Sequence, residues 1–330
     1  MAVSTSTTVA NWLLTEVMSQ IALDPLRGKY VLLPFLNMAD ISGRSSKVRK
    51  IRKKSAIAAA VDDAEAVAFS NPATMGVAAN ISITPTTKVQ GMQLTADAIE
   101  LALPGVPRNQ VIAAIQGNNP GAIPLVRDAM VEILESHYLR AETDALALFS
   151  GLSESAGTTN QPLSFATLLD AMLKVLDNNP SSEDLVFVLE EQGVADLRAL
   201  AAGGTGAALS SIFTGGGVGD LSFFQHRPDA SRNGFRGGFA GIPIYAANKA
   251  VMETANAGVD RVSALIVAGR GETGAPGSVR GFAEMVERYE PSLGFQYDLT
   301  DDTLLAVGRW CWAVGEHTDE HGCKIIYDLD

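Results

Sequence analysis

Apolar positions three and four residues apart run from Ala122 to Gly151 (AIPLVRDAMVEILESHYLRAETDALALFSG). Val126, Met130, Ile133, Leu134, His137, Ala141, Ala145 and Leu148 form one stripe, and Asp128, Glu132, Glu135, Glu142 and Asp144 fill much of the remaining circumference. This is the period of an amphipathic helix. Pro124 falls in its first turn, where a missing N–H is no loss, and Gly151 stands where a left-handed C-terminal cap belongs. At 1.5 Å per residue the helix spans roughly 40 Å, a rod long enough to brace a flat, elongated molecule.

Before it, Val9, Leu13, Val17 and Ile21 fall four apart and predict a short helix that Asp24-Pro25 stops. Trp12 lies off that stripe and is a candidate for contact with something else. Residues 29–40 (KYVLLPFLNMAD) are apolar but broken by Pro34, which suits an extended arm better than a central strand. A helix packed on its own domain and an arm reaching a neighbour both remain open. From Gly43 to Lys54 the only large apolar residues are Val48 and Ile51, three apart, so the pattern decides neither helix nor strand. An acidic, Ala-rich segment with Asp62, Asp63 and Glu65 follows, then the loop residues Ser70-Asn71-Pro72. Ile81, Ile83, Thr87 and Val89 mark a second extended piece. Residues 43–92 therefore read as a long two-stranded excursion with little core of its own. An isolated hairpin is marginal in water, so this one should lie on another surface.

Beyond the long helix, residues 152–163 form a polar loop. Ser164 then caps a second helix whose buried side carries Phe165, Leu168, Leu169, Met172 and Leu176. Leu185–Leu189 reads as a buried strand, Gln192–Ala202 as a short helix, residues 203–238 as Gly-rich and poorly periodic, and Ile242–Ala246 and Arg261–Ala268 as further strands. This α/β lobe ends near Gly281. Antiparallel sheet follows, in Phe282–Pro291 and Leu304–Gly315. Trp310, Trp312 and Val314 share one face of the second strand, and Leu305, Val307, Cys311 and Ala313 share the other. Both faces are mostly apolar, so both are expected to be covered. A turn at His317–Gly322 leads into Cys323–Tyr327.

Composition narrows the class. With 330 residues, 47% apolar and 19% charged, the chain is an ordered globular protein with room for two lobes. No run of about 18 uncharged apolar residues marks a membrane span, and MAVSTSTTVANWLL carries no pattern of a cleavable signal. Two cysteines, Cys311 and Cys323, give no disulfide framework, which fits a reducing compartment. The net charge of −12 argues against general nucleic-acid affinity. It is unevenly spread: Arg44, Lys47, Arg49, Lys50, Arg52, Lys53 and Lys54 put +7 into eleven residues and leave −19 elsewhere.

The order of parts, and three stretches in particular, resemble the tailed-bacteriophage major capsid proteins of the Hong Kong 97 type. SFATLLDAMLKVLDNNP and DLVFVLEEQGVADLRALAA, within 164–202, look like the helix–strand–helix opening of that family's axial domain, including Gln192 and Asp196-Leu197. GFAGIPIYAANKAV (238–251) looks like its Gly-x-x-Gly-Ile-Pro-Val strand, with Ile244 where Val is common. The strand through Arg309 and Trp312, followed by Gly322-Cys323-Lys324-Ile325-Ile326, looks like its closing strands. The resemblance implies an α+β Hong Kong 97-like fold. Residues 1–42 would be an N-terminal arm, 43–92 an extended loop, 93–152 with 282–330 a peripheral domain built on a spine helix, and 153–281 an axial domain. It implies a shell protein that assembles into pentamers and hexamers around double-stranded DNA, made in a bacterial host's cytoplasm and residing in the virion. Expected partners are copies of itself, a portal, a decoration protein and loosely held DNA. Scaffolding is expected from a separate protein or a removed segment, because the arm begins almost at Met1. A nanocompartment shell of the encapsulin kind is the alternative, and a soluble hydrolase or nucleotide-binding enzyme a distant one.

No cofactor, metal or catalytic residue is expected. His317-Thr318-Asp319-Glu320-His321 matches the H-x-x-E-H zinc pattern, but the flanking Gly315 and Gly322 predict a turn, which destroys the helical spacing of the two histidines. A structural zinc shared with Cys323 is the functional alternative. Gly203-Gly204-Thr205-Gly206 and Gly215-Gly216-Gly217 lack the Lys-Ser or Lys-Thr of a phosphate loop and read as flexible loop. His137 reads as a core or interface histidine. Lys47, Lys50, Lys53, Lys54 and Lys88 could offer amines for the side-chain cross-links that some of these capsid proteins form, but no acceptor Asn is identifiable, and none is expected. The basic strip is expected to meet carboxylates of an adjacent subunit, Asp128, Glu132 or Glu135 on the exposed side of the long helix. Its alternatives are a solvated edge and a nucleic-acid contact.

Overall fold

Long period-two runs sort into three sheets among the described residues. The computed structural model describes residues 30–43, 47–54, 77–95, 124–178, 184–202, 234–247, 253–255, 260–269, 281–298 and 303–328. A four-stranded sheet has the order β1 (Asn37–Asp40), β11 (Ala283–Asp298), β12 (Thr303–Glu316) and β4 (Thr86–Thr95). β2 (Arg49–Lys54) and β3 (Val77–Ile83) form a separate antiparallel pair. The third sheet runs β5 (Ser155–Ala156), β13 (Gly322–Asp328), β10 (Asp260–Val267), β6 (Leu185–Glu190), β8 (Ile242–Ala247) and β7 (Phe235–Phe239), and β9 (Glu253–Ala255) pairs with β10.

The long helix, α1, spans Pro124–Leu146 and buries Met130, Ile133, Leu134, His137, Ala141 and Ala145, six positions of the expected stripe. Two details differ. Gly151 is not a left-handed cap; the helix tightens into a 3₁₀ turn over Ala147–Gly151, closed by the Leu152 N–H on the Phe149 carbonyl. Glu142 is not on the solvent side but 3% exposed. It lies four residues from Tyr138 and three from Ala145, inside the buried arc. α1 crosses β12 at Gly308, where a Cβ would overlap Ile133 Cγ2 and come 3.1 Å from His137 Nε2, so only glycine lets helix and strand approach this closely.

The largest core lies between the sheets. Val186, Val188, Tyr245, Val262, Ala264 and Ile266 of the seven-stranded sheet join Ile133, Leu134 and Phe149 and the Trp310 and Trp312 face of β12. Opposite parity on the same strands puts Leu185, Phe187, Leu189, Ile244, Leu265 and Val267 on the other face. There they meet α2 (Phe165–Asn178), through Leu168, Ala171 and Val175, and α3 (Glu191–Ala202), through Val194 and Leu197. Covering on both faces explains why β6 and β8 are buried throughout. Ser164 caps α2 as expected, its hydroxyl accepting the Thr167 N–H at 3.2 Å.

Several boundaries shift. Residues 37–40 are an edge strand parallel to β11 rather than free arm, because Pro34 falls in a preceding 3₁₀ turn. Phe235–Phe239 is a strand inside the stretch read as aperiodic. β11 continues through Pro291 to Asp298, with irregular pairing between Glu287 and Ser292 that accommodates the proline. Residues 86–92 pair with β12 and leave the excursion for the four-stranded sheet. The closing strand 322–328 pairs with β10, so it belongs to the seven-stranded sheet and not with the return strands.

Candidate assembly surfaces

The basic strip resolves into β2, where alternation gives its residues different fates. Arg49 and Ile51 face the four-stranded sheet. Arg49 Nε stands 3.3 Å from Oε1 of the fully buried Glu284, and Ile51 packs with Ile83, Val286, Ala39 and Ile41. Gly315 makes room for this root, since a Cβ there would lie 2.6 Å from Ile83 Cγ1. The hairpin therefore does lie on another surface, that of its own chain. Arg49, expected among the inter-subunit cations, thus forms an ion pair within its own chain. Lys47 and Lys50 are exposed. Arg52, Lys53 and Lys54 continue the backbone of β2, their side chains outside the described residues, as Arg44 and Trp12 are altogether.

On α1, Asp128 and Glu132 are exposed and Glu135 is half-buried, one helical face four and three residues apart. Leu139, 48% exposed, follows four residues on, beside the Arg140–Asp144 pair at 2.9 Å. Glu284 and Val286 point to the hairpin, whereas Met285 and Trp312 point to α1. Hairpin and helix thus sit on opposite faces of the four-stranded sheet, and the sheet separates the cations of β2 from the carboxylates of α1 within one chain.

The expectation that both faces of β12 are covered holds for one. On the hairpin side, cover ends at the root. Leu305 remains 37% exposed, Val89 59% and Tyr289 53%, and Val89 sits in register with Arg309. Lys88, on the α1 side, lies over the Trp312 ring, 5.1 Å from its centroid, and reaches Thr86 Oγ1 at 3.0 Å.

Asp319–His321 is a 3₁₀ turn, as the flanking glycines predict. His317 Nδ1 lies 2.8 Å from Thr318 Oγ1, and the Asp319 carboxylate accepts the Ser153 N–H at 2.8 Å. Among the described residues no three His, Cys, Asp or Glu side chains gather as metal ligands. Cys311 and Cys323 are buried free thiols, and burial pushes that of Cys323 up to about 12. Both glycine clusters lie outside the described residues.

One constellation had no forecast. The Glu142 carboxylate accepts three backbone N–H groups, those of Val31 and Leu32 on Oε1 at 3.0 and 2.7 Å and that of Leu33 on Oε2 at 3.1 Å. Burial raises its pKa, against the lowering effect of the three donors. Beside it Tyr30 stacks on Tyr138 with centroids 5.7 Å apart and donates its hydroxyl to the Glu135 carbonyl at 3.0 Å. Burial, then the nearby Glu135 and Glu142, push the Tyr30 hydroxyl up to about 12. The available signal was the helical position of Glu142 within the buried arc.

No family model matches the sequence, and no curated protein sequence does either. Solved structures do match along nearly the whole chain. The head of Helicobacter pylori bacteriophage KHP40 superposes with a TM-score of 0.59 at 9% identity, over 91% of this chain and 89% of that one. The capsid of Ralstonia phage GP4 gives 0.57 at 8% identity, over 92% of each chain. The SrpI encapsulin complex of Synechococcus elongatus gives 0.53 at 10% identity, over 90% of this chain and 87% of that one. The class is thereby defined: this is an α+β shell-protein fold. More particularly, it is the Hong Kong 97-like fold of tailed-phage major capsid proteins.

Proposed function

We propose that the chain is the head-shell subunit of a tailed bacteriophage, its copies associating as pentamers and hexamers of an icosahedral shell around double-stranded DNA. The observation that carries this reading is the likeness to phage heads over about nine-tenths of the chain. The surfaces agree with it. A two-stranded hairpin carries the exposed Lys50, with the exposed Lys47 just before it, and apolar side chains stay open on the adjoining sheet face; both are features that self-association covers. The role is structural rather than catalytic. In this reading the four-stranded sheet with α1 is the peripheral domain, the seven-stranded sheet with α2 and α3 the axial domain, and β2–β3 the extended loop, with residues 1–29 preceding them as the arm. A scaffolding protein, a portal and a decoration protein are the further partners, and the virion the final location, reached after assembly in the host cytoplasm.

Negative-stain microscopy of the purified protein is the test. Closed shells, or rings of five and six subunits, are expected. A uniform monomer or dimer under all assembly conditions overturns the reading. Particles from the native source should contain genomic DNA; protein cargo in its place would point to the nanocompartment shell that the encapsulin likeness also allows.

A further inference from the structure

Residues 30–40 form a strap that touches α1, the seven-stranded sheet and the four-stranded sheet. Tyr30 holds to α1 through Tyr138 and the Glu135 carbonyl. Phe35 packs edge-on against Tyr245 of β8 at 4.9 Å, and its carbonyl accepts the Gly269 N–H at 2.7 Å just past β10. The buried Asn37 accepts the Gly281 N–H at 2.7 Å through Oδ1, and β1 then joins the four-stranded sheet. One chain segment thus bridges the helix and both sheets.

Irregular backbone buried this deeply needs acceptors for its N–H groups. At Val31, Leu32 and Leu33 a single side chain supplies all three. We infer that Glu142 is a positioning residue: its carboxylate clamps the strap to α1, and the clamp fixes how the four-stranded and seven-stranded sheets are set relative to each other. The chemistry favours a carboxylate over any other side chain of that length. It offers two acceptor oxygens and no donor, so both edges of the fork are usable. A shell reads out such a clamp sensitively, because a small change in the set of two lobes recurs at every subunit contact. This consequence rests on the proposed shell role; the clamp itself does not.

The test separates the two. In Glu142→Gln the amide oxygen keeps the acceptor place for Val31 and Leu32, while the amide NH2 faces the Leu33 N–H. Hydrogen exchange, read by NMR on unassembled subunits, should therefore speed up at Leu33 by about tenfold or more and change little at Val31 and Leu32. Glu142→Ala should expose all three amides and also speed up Gly269, which is bonded to the strap but distant from Glu142 in sequence. Circular dichroism should stay that of the wild type in the Gln variant, which covers the case that the Ala variant does not fold. In assembly reactions where the wild type forms closed shells, the Gln variant should give particles of mixed diameter or open sheets. Unchanged exchange at Leu33 in the Gln variant overturns the clamp. Altered exchange with shells of normal size and uniformity overturns its positioning role. A wild type that forms no shells counts against the proposed function alone, since the exchange measurements still decide the clamp.

Discussion

At the scale of single residues, burial under α1 sets opposite pH responses. His137 is buried over Gly308, and burial holds its pKa below the ordinary 6.5. The unfolded chain then takes up the proton first, so the stability that neutral His137 contributes is present above 6.5 and lost as pH falls below it. His137→Gln should flatten the decline in urea-denaturation stability between about pH 7 and pH 5; parallel slopes for variant and wild type would show that the imidazole stays protonatable in the fold. Glu142 runs the other way. Its folded pKa is raised above the ordinary 4.5, so stability grows as pH falls into the interval between the two values and is lost again as pH rises through the upper one. Gly308 is a steric rather than an electrostatic position. Gly308→Ala would drive a methyl into Ile133 Cγ2 and should destabilise by about 1–3 kcal/mol through overpacking, read as a lower urea midpoint at unchanged slope. An unaltered midpoint would mean that α1 can ride up off β12 without penalty.

Among the elements, the hairpin shows why alternation matters more than composition. Seven cations in eleven residues look like one feature, yet in β2 Arg49 points inward to Glu284 while Lys50 points to solvent. Removing Arg49 strips a cation from a buried carboxylate, so Arg49→Ala should cost about 3 kcal/mol or more of stability. Lys50→Ala should stay within about 0.5 kcal/mol. Thermal unfolding of the two variants side by side checks the contrast; equal effects would show that Arg49 contributes no more than a surface charge. The same physics sets how much of the molecule could be read in advance. α1, α2 and the buried strands β6, β8 and β10 were legible because each pairs a strong period with a clear stop. β1 and the assignment of β13 to the seven-stranded sheet were not. Four residues after a proline carry too little periodicity, and which sheet a closing strand joins is a tertiary choice that no local pattern encodes. Of the candidate site, the charged strip and the acidic helix face were legible as sequence features. The inward turn of Arg49 was hidden because its partner, Glu284, lies 235 positions away along the chain.

For the whole molecule, charge is segregated in a way that a single copy does not resolve. The strip holds +7 and the remainder of the chain −19. Within one chain the four-stranded sheet stands between the hairpin and the Asp128, Glu132 and Glu135 face of α1. Among the described residues, Lys47 and Lys50 are exposed and that sheet keeps them from the α1 carboxylates of their own copy; we propose that the strip meets such carboxylates on another copy. Exposed ion pairs contribute about 0.2–1 kcal/mol each, so three give roughly 1–3 kcal/mol per contact. That is little for folding, but a closed shell repeats it at every subunit, and salt screens it. Changing Lys50, Arg52 and Lys53 together to Glu should leave the subunit folded, because the Arg49–Glu284 pair and the Ile51–Ile83 root are untouched. Shell formation should be blocked, because like charges would then face each other across the proposed contact. The corresponding triple Ala protein should assemble with lower salt tolerance than the wild type. Circular dichroism reads folding and sedimentation across a salt series reads shells. Wild-type shells from the triple Glu protein, with the wild-type dependence on salt, would return the strip to a solvated edge that keeps the hairpin from pairing with the wrong strand.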